Sequence, residues 1–240
     1  MRTINRIFLH TAAHGTATQN YDTTVPQIDA WHKERGWSGI GYHFVIRLDG
    51  SVNAGRSEDK AGAHVAGFNT GTMGICMSGH GDHHPWTPAQ NAALMDLLVN
   101  LLKKYGLWPS LIAEAKKSDD ALRVKLANVV LGHREVNRIT NNPEYKTTKS
   151  CPGNRINMDV IRATLGQRVK AEAIPAPQPP AAEVYDEATA QALFTHIRGL
   201  YALASAMKWN DAMRDSLGSI RKDARVDFLI TEYKKKHGIP

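Results

Sequence analysis

Residues 171–183 read AEAIPAPQPPAAE, and no compact element can run through them. Four prolines fix the backbone and remove amide donors, so the stretch reads as a stiff, extended linker. It divides the 240-residue chain into residues 1–170, long enough to bury a good core, and residues 184–240, a small helical segment.

Within residues 1–170, short apolar runs alternate with helical patterns. RIFLH reads as a strand ending at His10. TVPQIDAWHKERG has Pro26 near its start, Ile28, Trp31 and His32 at helical spacing, and Gly36 as a stop. GYHFVIRLDGSVNAG reads as a hairpin turning at Asp49-Gly50. TMGICMSG and ANVVLGH read as strands, the second leading out to His133. TPAQNAALMDLLVNLLKKYG is a helix started by Thr87, Pro88 and Gln90 as a capping box. Its apolar face is Leu94, Leu97, Leu98, Leu101 and Leu102. DDALRVKL reads as a short helix, and NMDVIRATLG as one with Ile156, Val160 and Ile161 inward and Gly166 as its stop. Strands mixed with helices predict an α/β fold, a central mixed β-sheet flanked by helices. After the linker, Leu193, Ile197, Leu200, Tyr201 and Ala204 share one helical face. Met213, Leu217 and Ile220 predict a second helix there, and Phe228, Leu229 and Tyr233 a third.

A net charge of +7 favours polyanionic partners: nucleic acid, anionic lipid or wall polymers. No basic block is interleaved with aromatics as in single-strand binders, so the reading is no nucleic acid. No apolar run approaches the roughly 20 residues of a membrane helix, which excludes membrane insertion by a helix. The N-terminus lacks a signal-peptide core of about 7–15 apolar residues. The expected product is therefore cytoplasmic, and action elsewhere needs a separate release step. Two cysteines make no disulfide framework. Cys76, in MGICMSG, reads as a buried strand residue, whereas Cys151, in TTKSCPG, sits in a polar loop.

Most of the eleven histidines need no special role. His80, His83 and His84 read as a solvated loop, His14 as a loop residue, and His32 as surface-side or half-buried on its helix. His10, His133 and Cys151 stand out by location, because sites on open α/β sheets are built at strand ends. Two imidazoles and one thiolate suit Zn²⁺ with a fourth position left for water or substrate. No HExxH or CxxC motif ties the three together, so spacing alone leaves the zinc reading open.

Seven blocks occur in a recognisable order: IFLHTA, WHKERGWSGIGYHFVIRLDGSVNAGR, GAHVAGFN, MGICMSG, TPAQ, LGHREV and KSCPG. In them the chain resembles the type 2 N-acetylmuramoyl-L-alanine amidases, which include a bacteriophage lysozyme and the animal peptidoglycan recognition proteins. The resemblance covers most of residues 6–165 and leaves out the tail. It implies that His10, His133 and Cys151 are zinc ligands, and that Tyr42 of GYHF and Lys149 of KSCPG are catalytic. It also implies that His64 and Asn69 of GAHVAGFN line the substrate groove. If residues 149–151 are extended, Lys149 and Cys151 project to the same side.

The implied function is zinc-dependent hydrolysis of the amide between N-acetylmuramic acid and L-alanine in bacterial peptidoglycan, by a phage endolysin. Such a protein is made in the host cytoplasm, let through to the cell wall by a membrane release protein (a holin), and acts there. Two other readings stay open: a binding module that recognises peptidoglycan without cutting it, and a regulator of a polymerase partner. The helical tail reads as a packing arm or small bundle, with a wall-binding or oligomerising role open but carried by no motif. WPSLIAEAKKSDDALRVKLA and NRITNNPEYKTT depart from the family pattern near the expected cleft, so substrate preference does not follow from the resemblance.

Overall fold

The computed structural model describes residues 2–173, 187–206 and 224–239. Five strands form one sheet: β1 (Arg6–Thr11), β2 (Phe44–Ile46), β3 (Val52–Ala54), β4 (Thr72–Met77) and β5 (Val130–Gly132), in the order β3-β2-β4-β1-β5. β1 runs parallel to both β4 and β5, β2 is parallel to β4, and only β3 is antiparallel. The sheet is therefore mixed and helix-flanked, as the alternation of strand and helix signals predicts. β4 is buried along its whole length and β1 after its first residue, the pattern of parallel strands covered on both faces.

Alternation along β1 separates the two faces. Ile7 and Leu9 join Met73, Ile75 and Met77 in the main core. That core is closed by α2 (Pro88–Lys104), α3 (Trp108–Ala115), α4 (Asp119–Val129) and α5 (Met158–Ala173). Phe8 points the other way, into a small cluster with Val65, Leu131 and Val136. His10 follows Phe8 by two and shares its face. Val45 and Cys76 lie on that face too, packed with Ile28 of α1 (Val25–Glu34). Cys76 is buried, as read from its apolar run.

The helix signals hold where caps announce them. Thr24–Gln27 and Thr87–Gln90 are both capping boxes. Three local expectations are corrected. Gly166 does not stop α5, which continues to Ala173 because Val169 and Ala173 extend its buried stripe. Val160 is 59% exposed. The inward position is taken by Arg162, whose guanidinium meets Glu135 at 2.8 Å. Ala127–Val129 belong to α4 rather than to the strand leading to His133. α5 also occupies the first three residues of the stretch read as linker; the rest of that stretch lies outside the described residues.

Residues Met1–Ile174 and Pro175–Pro240 form two compact units. In the second, α6 (Glu187–Ala206) pairs with α7 (Ala224–His237). The Phe194 and Tyr233 rings lie 5.2 Å apart, and Glu187 meets Lys236 at 2.5 Å and His237 at 2.9 Å. Met213, Leu217 and Ile220 lie outside the described residues. Among the described residues, no helix is long and apolar enough to cross a membrane.

Candidate metal centre

The carboxyl end of β1 delivers His10, the residue after β5 is His133, and a turn brings in Cys151. One ligand atom from each lies within 4.8 Å of the other two. His10 Nδ1 is 3.6 Å from Cys151 Sγ, and the His10 and His133 rings are 5.0 Å apart. The adjacency of His10 and His133 follows from the sheet: β1 pairs with β5, with Leu9 opposite Gly132.

Cys151 reaches the site because its turn is stapled on two sides. Arg134, next to His133, donates from its main chain to the Cys151 carbonyl at 2.7 Å. Its guanidinium donates to the carbonyls of Ser150, Gly153 and Ile156 at 2.9, 2.6 and 2.7 Å. Asp82 accepts from Ser150 Oγ and from the Asn154 amide, both at 2.7 Å. Neither Arg134 nor Asp82 was singled out from the sequence. The signal available was the adjacency of Arg134 to His133 in LGHREV.

Burial pushes the Cys151 thiol up to about 11, against the pull of the Thr11 amide, Lys149 and Arg134. Burial lowers His10 well below the usual histidine range, and His64 and His133 lower it further. Burial, then Lys149, brings His133 to about 4. At neutral pH the pocket thus offers two uncharged imidazoles and one thiol. These are lone-pair donors that a divalent cation can claim, displacing the thiol proton. Three N/S donors with room for a fourth ligand fit Zn²⁺ in its catalytic pattern.

The Tyr42 ring sits 4.9 Å from the His10 ring and 5.4 Å from that of His32. Tyr42 lies just before β2, where its carbonyl accepts from the Arg56 amide at 2.8 Å. His32 is buried rather than surface-facing, and its Nδ1 accepts from the Gly41 amide at 3.0 Å. Burial raises the Tyr42 phenol well above its ordinary value, so it keeps its proton. Lys149 is exposed at the rim. It lines one cleft of about 330 Å³ together with Tyr42, His133 and Cys151. A second hollow of about 490 Å³ shares Trp37, His64, His133 and Lys149 with the first and adds Asn69 and Tyr145. His64 and Asn69 thus both reach the cleft, yet Asn69 Oδ1 and both His64 ring nitrogens already face partners inside the protein. Asn69 Oδ1 accepts from the His64 and Val65 amides at 2.7 and 3.0 Å. His64 Nδ1 faces His10 Nε2 at 3.2 Å. His80, His83 and His84 stand in a separate loop, with the first two rings 4.3 Å apart.

The His10, His133 and Cys151 cluster, three donors that could hold a metal ion, thus lies at the carboxyl edge of an α/β sheet and opens on a cleft. Comparison with known proteins gives the chain's family. Residues 1–154 match the Amidase_2 family, described as N-acetylmuramoyl-L-alanine amidase. The endolysin of Klebsiella phage KP32 is 43% identical over 106 residues, 42% of this chain and 68% of that protein. The endolysin of Enterobacteria phage T3 is 42% identical over 108 residues, 43% of this chain and 70% of that protein. Among solved structures, the N-acetylmuramoyl-L-alanine amidase LysC from Clostridium intestinale URNW superposes with a TM-score of 0.51 at 30% identity. That match covers 68% of this chain and 86% of LysC. The chain belongs to the N-acetylmuramoyl-L-alanine amidase family. Its activity is the one that family is named for, and peptidoglycan is its substrate.

Proposed function

We propose that the chain is a zinc-dependent endolysin that cleaves the amide between N-acetylmuramic acid and L-alanine to lyse a bacterial host. The observation that carries the zinc reading is the convergence of His10, His133 and Cys151 ligand atoms within 4.8 Å of one another. The phage relatives, both endolysins by name, support the biological role.

Amides are unreactive, so the carbonyl must be polarised and water made nucleophilic. When bound, Zn²⁺ supplies both, as a Lewis acid that brings water within reach of deprotonation near neutral pH. His10, His133 and Cys151 would hold the ion. Tyr42, protonated and beside His10, orients the attacking water and donates a hydrogen bond from its Oη. Lys149 Nζ places positive charge at the mouth of the cleft, where the oxyanion develops. Residues 1–173, through the end of α5, are the amidase domain, the remaining proline-rich residues to 183 a linker, and residues 184–240 an appended helical segment. His64 and Asn69 border the groove that takes the glycan–peptide substrate. Passage to the wall depends on a separate membrane release protein.

The test is metal content together with lysis. One equivalent of zinc is expected, with lysis lost on chelation and restored by Zn²⁺. The cut would be read as new L-alanine amino termini released from purified walls. Protein that lyses walls with no metal bound would refute the zinc reading.

A further inference from the structure

The two nitrogens of His10 face different partners. Nδ1 lies 3.6 Å from Cys151 Sγ, on the side of the metal ligands. Nε2 lies 3.2 Å from His64 Nδ1. A neutral imidazole carries one proton. If Nδ1 is to bind a cation its lone pair must be bare, so the proton belongs on Nε2 and His64 Nδ1 must accept it. His64 then carries its own proton on Nε2, where Thr72 Oγ1 stands 3.5 Å away. The Thr72 hydroxyl in turn donates to the Phe68 carbonyl at 2.5 Å, which turns its lone pairs toward the ring. With His10 Nδ1 bare for a cation, every remaining donor in the series meets an acceptor in this arrangement of protons.

The slot around His64 is built for a ring. His64 is buried although it reaches the cleft. A methyl group at Gly74 would lie 2.6 Å from His64 Cδ2, and one at Gly62 would also strike the imidazole. The Asn69 side chain fixes the His64 main chain. The ring is thereby held edge-on to His10, with centroids 5.1 Å apart and an interplanar angle of 77°.

We propose that His64 is a positioning residue for the metal: it accepts the His10 Nε2 proton, and so keeps Nδ1 bare and aimed at the ligand cluster. The inference rests on the zinc reading above and gives His64 a task that precedes substrate binding. Outer partners of ligating histidines typically contribute about 10–100-fold to metal affinity.

The experiment measures Zn²⁺ affinity of the full chain, with no substrate present, by competition with a chromophoric chelator. His64→Ala is expected to weaken binding about 10–100-fold. His64→Asn, whose Oδ1 can stand in for Nδ1, is expected to recover most of that loss. His64→Ala binding within about threefold of the parent would overturn the proposal, as would His64→Asn binding as weakly as His64→Ala. Should a variant fail to fold, the parent protein decides by itself. Imidazole nitrogen chemical shifts of its metal-free form should report Nε2–H on both His10 and His64, and Nδ1–H on either one would overturn the proposal. A parent that binds no zinc defeats the zinc reading itself; a parent that binds it, with an indifferent His64→Ala, defeats only this inference.

Discussion

At the level of single residues, the centre joins one thiol to two imidazoles, and the thiol is the most consequential of the three. Cys151→Ser removes a thiolate donor and should reduce zinc affinity beyond the ~100-fold typical of outer partners, with lysis lost in parallel. Competition titration and wall turbidity measure the two effects. Asp22 makes a different prediction. It accepts from the Arg47 guanidinium, from Ser78 Oγ at 2.9 Å and from the Leu48 amide at 3.1 Å, tying the β2–β3 hairpin to the chain before α1. The Arg47 hydrogen bond, foremost, holds its carboxyl below the usual range. A depressed carboxyl stabilises the fold above its unfolded pKa of about 3.9, and that contribution fades as pH falls through the folded value. Asp22→Ala should therefore cost about 1–3 kcal/mol in denaturant melts at neutral pH and progressively less below about pH 4. His10 and His133 could be singled out in the sequence because each ends an apolar run, and Cys151 because cysteine is scarce. For Arg134 only its adjacency to His133 was visible; its stapling role was not, because its three carbonyl acceptors belong to a turn whose docking no spacing reveals.

Among the elements, the turn after Cys151 is the most constrained. Gly153 has φ +123°, and a side chain there would collide with the Gly81 main chain. Gly153→Ala should cost at least the 1–3 kcal/mol, roughly, of a strained backbone, lower Tm, and weaken zinc binding by displacing the cysteine. In α2, Leu98 is fully buried in the main core, and Leu98→Ala should cost about 2–5 kcal/mol by chemical denaturation while leaving the metal site intact. α2 was legible because Thr87 and Gln90 announce its start. α3 was not, because Leu107 precedes it without any side-chain cap. α5 was read too short. Gly166 usually signals an end, yet here it sits within the helix against Leu122 and Leu126 of α4. Glycine marks a stop through its backbone, but it also marks close packing, and only the neighbouring helix tells the two apart.

For the molecule as a whole, the sheet and its helices followed from the alternation of apolar runs and capped helices, since both periods are local. The meeting of His10, His133 and Cys151 did not, because it depends on which strands pair. The unit Met1–Ile174 holds the whole candidate site and its own core. Expressed alone, residues 1–174 should bind one zinc and release L-alanine termini from walls, and failure of that fragment to fold would show that the second unit is needed for stability. The pairing of β1 with β5 has a kinetic corollary. His10 and Cys151 are 141 positions apart along the chain but 3.6 Å apart in space. A cation gripping both acts as a reversible cross-link over nearly the entire unit, and it can close only after the strands have met. Interactions that form after the transition state leave the folding rate unchanged and slow unfolding. Stopped-flow refolding should thus be indifferent to zinc, while unfolding in denaturant should slow as zinc is added. The ion would set how long each native molecule lasts rather than how quickly it forms.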